Sequence, residues 1–196
     1  MQNSYLPDVV YELNLISRKV KSEFGGLTTE QLNWKPSADA WSIGQCLDHL
    51  IKTNILYFPV FASIHNGRYK KPFLGNLPGL PALTGRMMLK ALDPSSAKKL
   101  KTPGAFKPAA SNIPGTVVTD FGYHQEEFIR QITATDKVKH DKVIVASPIS
   151  GLITFSLKDC INICVTHEER HFLQAKRVLK NQSFPINTKN NSFSRK

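Results

Sequence analysis

Apolar residues recur at spacings of three and four along four stretches of the chain, and each stretch predicts an amphipathic helix. Leu6, Val9, Val10, Leu13, Ile16, Val20 and Phe24 hold that spacing until Gly25-Gly26 stops it, giving a first helix of about twenty residues with Pro7 in its first turn. The second opens on Ser42-Ile43-Gly44-Gln45, a capping-box pattern in which each side chain satisfies the other's backbone amide. Its inner side runs through Ile43, Cys46, Leu47, Leu50, Thr53 and Tyr57. Val117, Phe121, Phe128 and Ile132 predict a third helix from about Gly115 to Thr135. The fourth runs from Ser156 to about Asn181 on the stripe Leu157, Cys160, Ile161, Cys164, Ala175 and Val178. Ser156 with Asp159 resembles a helix start, and Pro185 with the polar tail marks the end.

The intervening segments are of three kinds. Leu27 to Pro36 reads as a short turn of helix and a structured connection, with Trp34 as a packing anchor. From Asn66 to about Gly115, seven prolines from Pro72 to Pro114 and several glycines forbid long regular elements, and only Ala82 to Leu92 suits a short helix. Lys142 to Phe155 is β-branched, interrupted by Ser147-Pro148 and Ser150-Gly151, and is expected to be an extended link. The expected fold class is therefore all-α: a four-helix bundle with a long Pro-rich crossover between helices 2 and 3. The expected organisation is one domain over residues 1–181 and a polar, basic tail over 182–196.

Charge and cysteine content narrow the setting. The formal net charge is +11, but much of the excess lies in Lys98-Lys99-Leu100-Lys101 and in the stretch from Lys176 to Lys196, where solvated loops and termini account for it. No interleaved aromatics or recognisable reader motif accompany the basic run, so no nucleic-acid partner is expected. The three cysteines, Cys46, Cys160 and Cys164, all fall inside predicted helices, where reduced thiols packed as small hydrophobes are expected rather than a disulfide framework. Met1 to Asn14 lacks a basic start followed by an apolar block, and the most apolar run, Ile55 to Ile64, is broken by Pro59 and too short to cross a bilayer. These features lead to the expectation of a cytoplasmic protein without a membrane partner.

The candidate chemistry sits on the fourth helix, in His167-Glu168-Glu169-Arg170-His171. Residues four apart lie one above the other on a helix, so both histidines share the inward stripe and can bind one metal ion. A histidine on such a stripe is ordinarily a hydrogen-bonded core residue, and both readings stand. His-Glu-x-x-His is also the zinc-peptidase signature, but no His, Asp or Glu follows His171, and Gln174 and Arg177 stand where the extended motif needs Gly and His. A metal site would thus close from upstream, with His49 on the flank of the second helix as the best candidate. Three neutral imidazoles suit zinc, nickel, iron or copper and leave a position open for water or substrate. Such an ion can lower the pKa of bound water towards about 7 for hydrolysis, or hold a thiol as thiolate below its free value of about 8.5. Glu168 is a candidate base or orienting group, although a surface carboxylate paired with Arg or Lys is the default. His124, on the flank of the third helix, is a candidate on the same terms. The alternative class is a non-enzymatic basic module binding an anionic partner, with the histidines as core residues.

Trp41-Ser42-Ile43-Gly44-Gln45-Cys46-Leu47-Asp48-His49-Leu50, followed much later by His167-Glu168-Glu169-Arg170-His171-Phe172-Leu173-Gln174, resembles the DinB-like superfamily. Leu27 to Pro36 and Thr102-Pro103 fit the same family, so the resemblance extends over nearly the whole chain. It implies a bundle of up-down-down-up topology, often a homodimer, with a divalent metal, usually zinc or nickel, on the positions of His49, His167 and His171. Relatives of this type include thiol S-transferases that use a low-molecular-weight thiol, a thiol-dependent isomerase, and proteins regarded as metal-dependent hydrolases. The resemblance therefore implies a small-molecule substrate and either thiol transfer or hydrolysis, and the fold transfers better than the reaction. The Pro-rich segment, residues 66–115, is where this chain departs from shorter relatives, and it is a candidate cover for the open metal face.

Overall fold

Each of the four apolar stripes becomes a helix in the computed structural model of the protein, which describes residues 2–95, 107–108, 112–148 and 150–185. The Lys98–Lys101 run, Thr102-Pro103 and the tail beyond Pro185 lie outside the described residues. Helix α1 spans Leu6–Phe24 with Pro7 in its first turn, and α2 spans Thr29–Asn33 under a capping box between Thr28 and Gln31. Helix α3 covers Ile43–Ile55, opened by the Ser42–Gln45 capping box. The second predicted helix stops there rather than running on to Tyr57. Pro59 has no N–H to donate to the carbonyl of Ile55, so the chain turns at Leu56-Tyr57 and restarts as α4, Phe58–His65.

Within the proline-rich segment, α5 spans Leu80–Leu92, with Gly79 at φ 77° before it and Pro81 in its first turn. The left-handed φ is one that Gly adopts without a Cβ penalty. Helix α6 covers Val117–Ala134 and α7 covers Leu157–Leu179, where the Ser156 hydroxyl accepts from the Asp159 amide at 2.9 Å. The expected extended link between them is instead a hairpin, β1 (Ile144–Ser147) and β2 (Ser150–Ser156), paired antiparallel with Val145 opposite Phe155. Both of those side chains are buried. Pairing satisfies backbone groups that an isolated extended segment would have left to solvent.

Helix α1 packs on α6 and α7, α3 packs on α7 and α6, and α5 lies against β2 and α7. The last contact is close. A Cβ on Gly85 would come 2.7 Å from Asp159 Oδ2 in the first turn of α7, so α5 reaches that position only with glycine there. Phe184, beyond α7, is buried with its ring 5.4 Å from Trp34, and Gln31 Nε2 donates to the Pro185 carbonyl at 2.6 Å. Trp34 is thus the anchor that its sequence context predicts.

The apolar interior divides into two halves. One contains Leu13, Tyr57, Phe128 and Cys164, and the other contains Ile16, Leu50, Phe121 and Phe172. On α1, the α3–α4 pair, α6 and α7 alike, the crossing falls at one level. That level holds polar groups: the Leu13 carbonyl, Asn54, Gln125 and Glu168. Among the described residues no helix is long and apolar enough to cross a membrane.

Candidate metal centre

The site lies between α3, which carries His49, and α7, which carries His167 and His171 one turn apart. One ring nitrogen from each residue lies within 4.8 Å of the other two. His49 Nε2 and His167 Nε2 are 3.1 Å apart, and the three ring centroids are separated by 5.0, 4.6 and 4.6 Å with every pair edge-on. His49 and His171 are buried, whereas His167 is half-buried.

Burial is the main force on the titration of the two α7 histidines. It pushes His167 down to about 3, with His49 and then Arg170 adding to the shift. His171 is driven well below its ordinary value by burial first and then by His167, His49 and Arg170, against a small opposing effect of the Gln174 side chain. Buried imidazoles this close together are neutral, the form that binds a metal. The fit can be tested on distance: four donors about 2.0–2.1 Å from a tetrahedral zinc ion lie about 3.3 Å from one another. The His49–His167 separation is already near that, and the His171 nitrogen, within 4.8 Å of both, has to move in to join them. Among the described residues His171 Nδ1 is also buried without a well-aligned hydrogen-bond partner. Among the described residues this is the cluster of His, Cys, Asp and Glu with ligand atoms close enough to share an ion.

Trp41 walls one side. Its indole stacks on His171 at 5.4 Å and 12° and meets His49 edge-on at 5.0 Å. Arg170 reaches across to donate from Nη1 to the Asp93 carbonyl at the end of α5, 3.0 Å away.

Glu168 corrects the default of a surface ion pair. It is completely buried, with Oε1 accepting from Asn54 Nδ2 at 2.7 Å and Oε2 from Gln125 Nε2 at 2.6 Å. Burial raises its pKa to about 8 against the two amide donors, which lower it. Both oxygens are already engaged, an arrangement that suits holding helices in place better than taking a proton from a substrate.

A family model described as the DinB superfamily matches residues 16–175. The chain belongs to the DinB superfamily. It is also 26% identical over 158 residues, covering 80% of this chain and 88% of the relative, to an uncharacterized protein, YuaE, of Bacillus subtilis (strain 168). No solved structure matches the chain.

In this DinB superfamily protein His124 stands apart from the three-histidine cluster. Its ring lies nearly parallel to those of Phe58, at 5.6 Å and 10°, and Phe128, at 5.9 Å and 14°, in a three-ring cluster, and its Nε2 is buried without a partner among the described residues. Burial pushes its pKa down from 6.5 to about 4, with Glu127 opposing. The unfolded chain therefore takes up the proton first. His124 thus costs no stability above about pH 6.5 and progressively more as the pH falls towards 4. His124→Phe, which keeps an aromatic ring in the stack and removes the titrating group, is expected to match wild type in urea at neutral pH and to lose less stability at about pH 4.5. Parallel stability curves for the two proteins from neutral to acid pH would rule out His124 as the source.

The cysteines in this superfamily member are structural. Cys46, Cys160 and Cys164 are free and buried, and burial pushes the Cys46 thiol up to about 12. Sequence reasoning did not single out Asn54, Gln125 or the stacking role of Trp41. Trp41 lies within the motif itself. Asn54 and Gln125 left only a faint signal, a polar residue interrupting the inner face of each helix.

Proposed function

We propose that this DinB superfamily protein is a metal-dependent enzyme that holds a divalent ion on His49, His167 and His171 and acts on a small-molecule substrate. The observation that carries the reading is the convergence of three imidazole nitrogens within 4.8 Å from two different helices. A set of neutral nitrogen donors favours zinc or nickel over magnesium or calcium. The bound ion would supply Lewis acidity at its remaining coordination position, where a low-molecular-weight thiol or a water serves thiol transfer or hydrolysis respectively.

The chain's own residues supply the frame. Trp41 restricts the rings of His171 and His49 to one orientation, and Arg170 keeps a positive charge beside the site that favours an anionic or developing-anionic group. Glu168 orients α7 rather than serving as the base. The packing of α1, α3, α6 and α7 is consistent with an up-down-down-up four-helix bundle, with α4 and α5 in the long connection.

Elemental analysis of untagged protein tests the site. Wild type is expected to carry close to one ion per chain, either as purified or after reconstitution with zinc or nickel, and His49→Ala and His171→Ala are each expected to lose it. A wild type that stays empty after reconstitution would overturn the reading. Once metal is established, conjugation of a thiol to an electrophile and hydrolysis of an activated ester, each compared with His171→Ala, separate the two reactions.

A further inference from the structure

The polar layer that cuts the apolar interior has no task in forming the core. It buries a carboxyl group whose bonded partners among the described residues are two neutral amides, at a place where an apolar residue would join the two halves into one. Burying such a group costs several kcal/mol before its hydrogen bonds are counted, so the layer does not add stability by its presence. What it adds is position. Glu168 Oε1 accepts from Asn54, which is on α3 five residues after His49, and Glu168 itself follows His167 on α7. The bond therefore joins the two helices that share the three histidines. The other oxygen accepts from Gln125 on α6, and that amide also donates to the Leu13 carbonyl of α1 at 3.3 Å, so the same carboxyl ties α7 to helices that carry no ligand.

Magnitudes favour a register function. Sliding one helix by one residue moves it about 1.5 Å, whereas metal–ligand distances tolerate about ±0.2 Å. Apolar contacts between α3 and α7, such as those around Leu50 and Phe172, are non-directional and change little over a few tenths of an ångström. A hydrogen bond of 2.7 Å between two buried side chains changes steeply over the same range.

We infer that the Asn54–Glu168 hydrogen bond is the register lock of the three-histidine site, with Asn54 and Glu168 acting as positioning residues that set α3 against α7. As a statement about metal, this rests on the function proposed above. As a statement about the two helices it does not, because the 3.1 Å approach of His49 Nε2 to His167 Nε2 reports the same register without an ion.

The test compares Asn54→Leu with Gln125→Leu, which removes a donor from the same carboxyl but loosens α6 instead of α3. In calorimetric titrations with zinc and cobalt, Asn54→Leu is expected to bind about tenfold to a hundredfold more weakly and to show an altered cobalt absorption spectrum. Gln125→Leu is expected to bind within about threefold of wild type, even where it melts at a similarly lowered temperature. The double variant Asn54→Leu/Glu168→Leu removes both partners of that bond, so neither is left unpaired by the loss of the other, and Gln125 keeps its donation to the Leu13 carbonyl. It is expected to recover thermal stability without recovering metal affinity. In the metal-free proteins, nitrogen-15 spectra of the imidazoles are expected to show the His49–His167 hydrogen bond in wild type and in Gln125→Leu and its loss in Asn54→Leu.

Weakening of metal binding by both single variants in proportion to their lost stability would overturn the lock. So would persistence of the imidazole hydrogen bond in Asn54→Leu. A wild type that binds neither ion would overturn the metal reading alone, and the nitrogen-15 comparison would still decide the lock.

Discussion

Phe128→Ala is expected to lower the unfolding free energy by about 3–5 kcal/mol, a large fraction of the roughly 5–15 kcal/mol that holds a domain folded. The side chain is wholly buried, and its ring lies 6.2 Å from Phe58, 6.2 Å from Phe61 and 5.9 Å from His124. Truncation forfeits the transfer of the ring from water and leaves a void that its neighbours cannot readily fill. Phe58 and Phe61 are fixed on the short α4 helix, and above them lies the Gln125–Glu168 layer, whose hydrogen bonds would have to lengthen before the walls could close. Urea unfolding gives the loss as a lower midpoint at unchanged slope. Phe73→Ala is the control: that side chain is 83% exposed, and its removal is expected to change stability by no more than about 0.5 kcal/mol. A loss below about 1 kcal/mol for Phe128→Ala would mean that the ring does not have the packing described.

How far the sequence could be read follows the range of each interaction. The four long helices were legible because a helical stripe and its caps are local signals. Leu6 to Phe24 and the Ser42–Gln45 box identify themselves within a few residues. The three histidines were legible for a related reason, since His167 and His171 share a face by spacing alone, the lack of a downstream ligand pointed upstream to His49 on the flank of the second helix, and the family resemblance implied the same three positions. The hairpin was missed because Val145 and Phe155 show their value only when paired. Glu168 was misjudged because its partners lie 114 and 43 positions away, on helices whose rotation no local pattern fixes. A glutamate between a histidine and another glutamate looks like surface. Only packing of α3 and α6 against α7 places it in the interior.

Zinc in large excess is expected to raise the melting temperature of the metal-free wild type by roughly 10 °C. At a thousandfold excess over the dissociation constant, a ligand that binds only the native state adds about 4.1 kcal/mol, and for a chain of this length each kcal/mol is worth about 2–4 °C. The premise that the unfolded chain binds little metal rests on the origin of the ligands. His49 and His167 are 118 positions apart and meet only when α3 and α7 pack. His167 and His171, by contrast, are neighbours on one helix and can chelate weakly even in a partly helical unfolded chain. His49→Ala is therefore the more informative variant. It leaves that pair intact in both states and removes only the ligand that folding delivers, so its zinc-dependent shift is expected to fall to a few degrees at most. His171→Ala breaks the pair itself and is expected to show almost none. Equal shifts in wild type and His49→Ala would locate the ion on α7 alone or elsewhere, and α3 would then have no part in holding it. A shift confined to wild type requires both helices, because only the folded contact between them brings the third imidazole within reach.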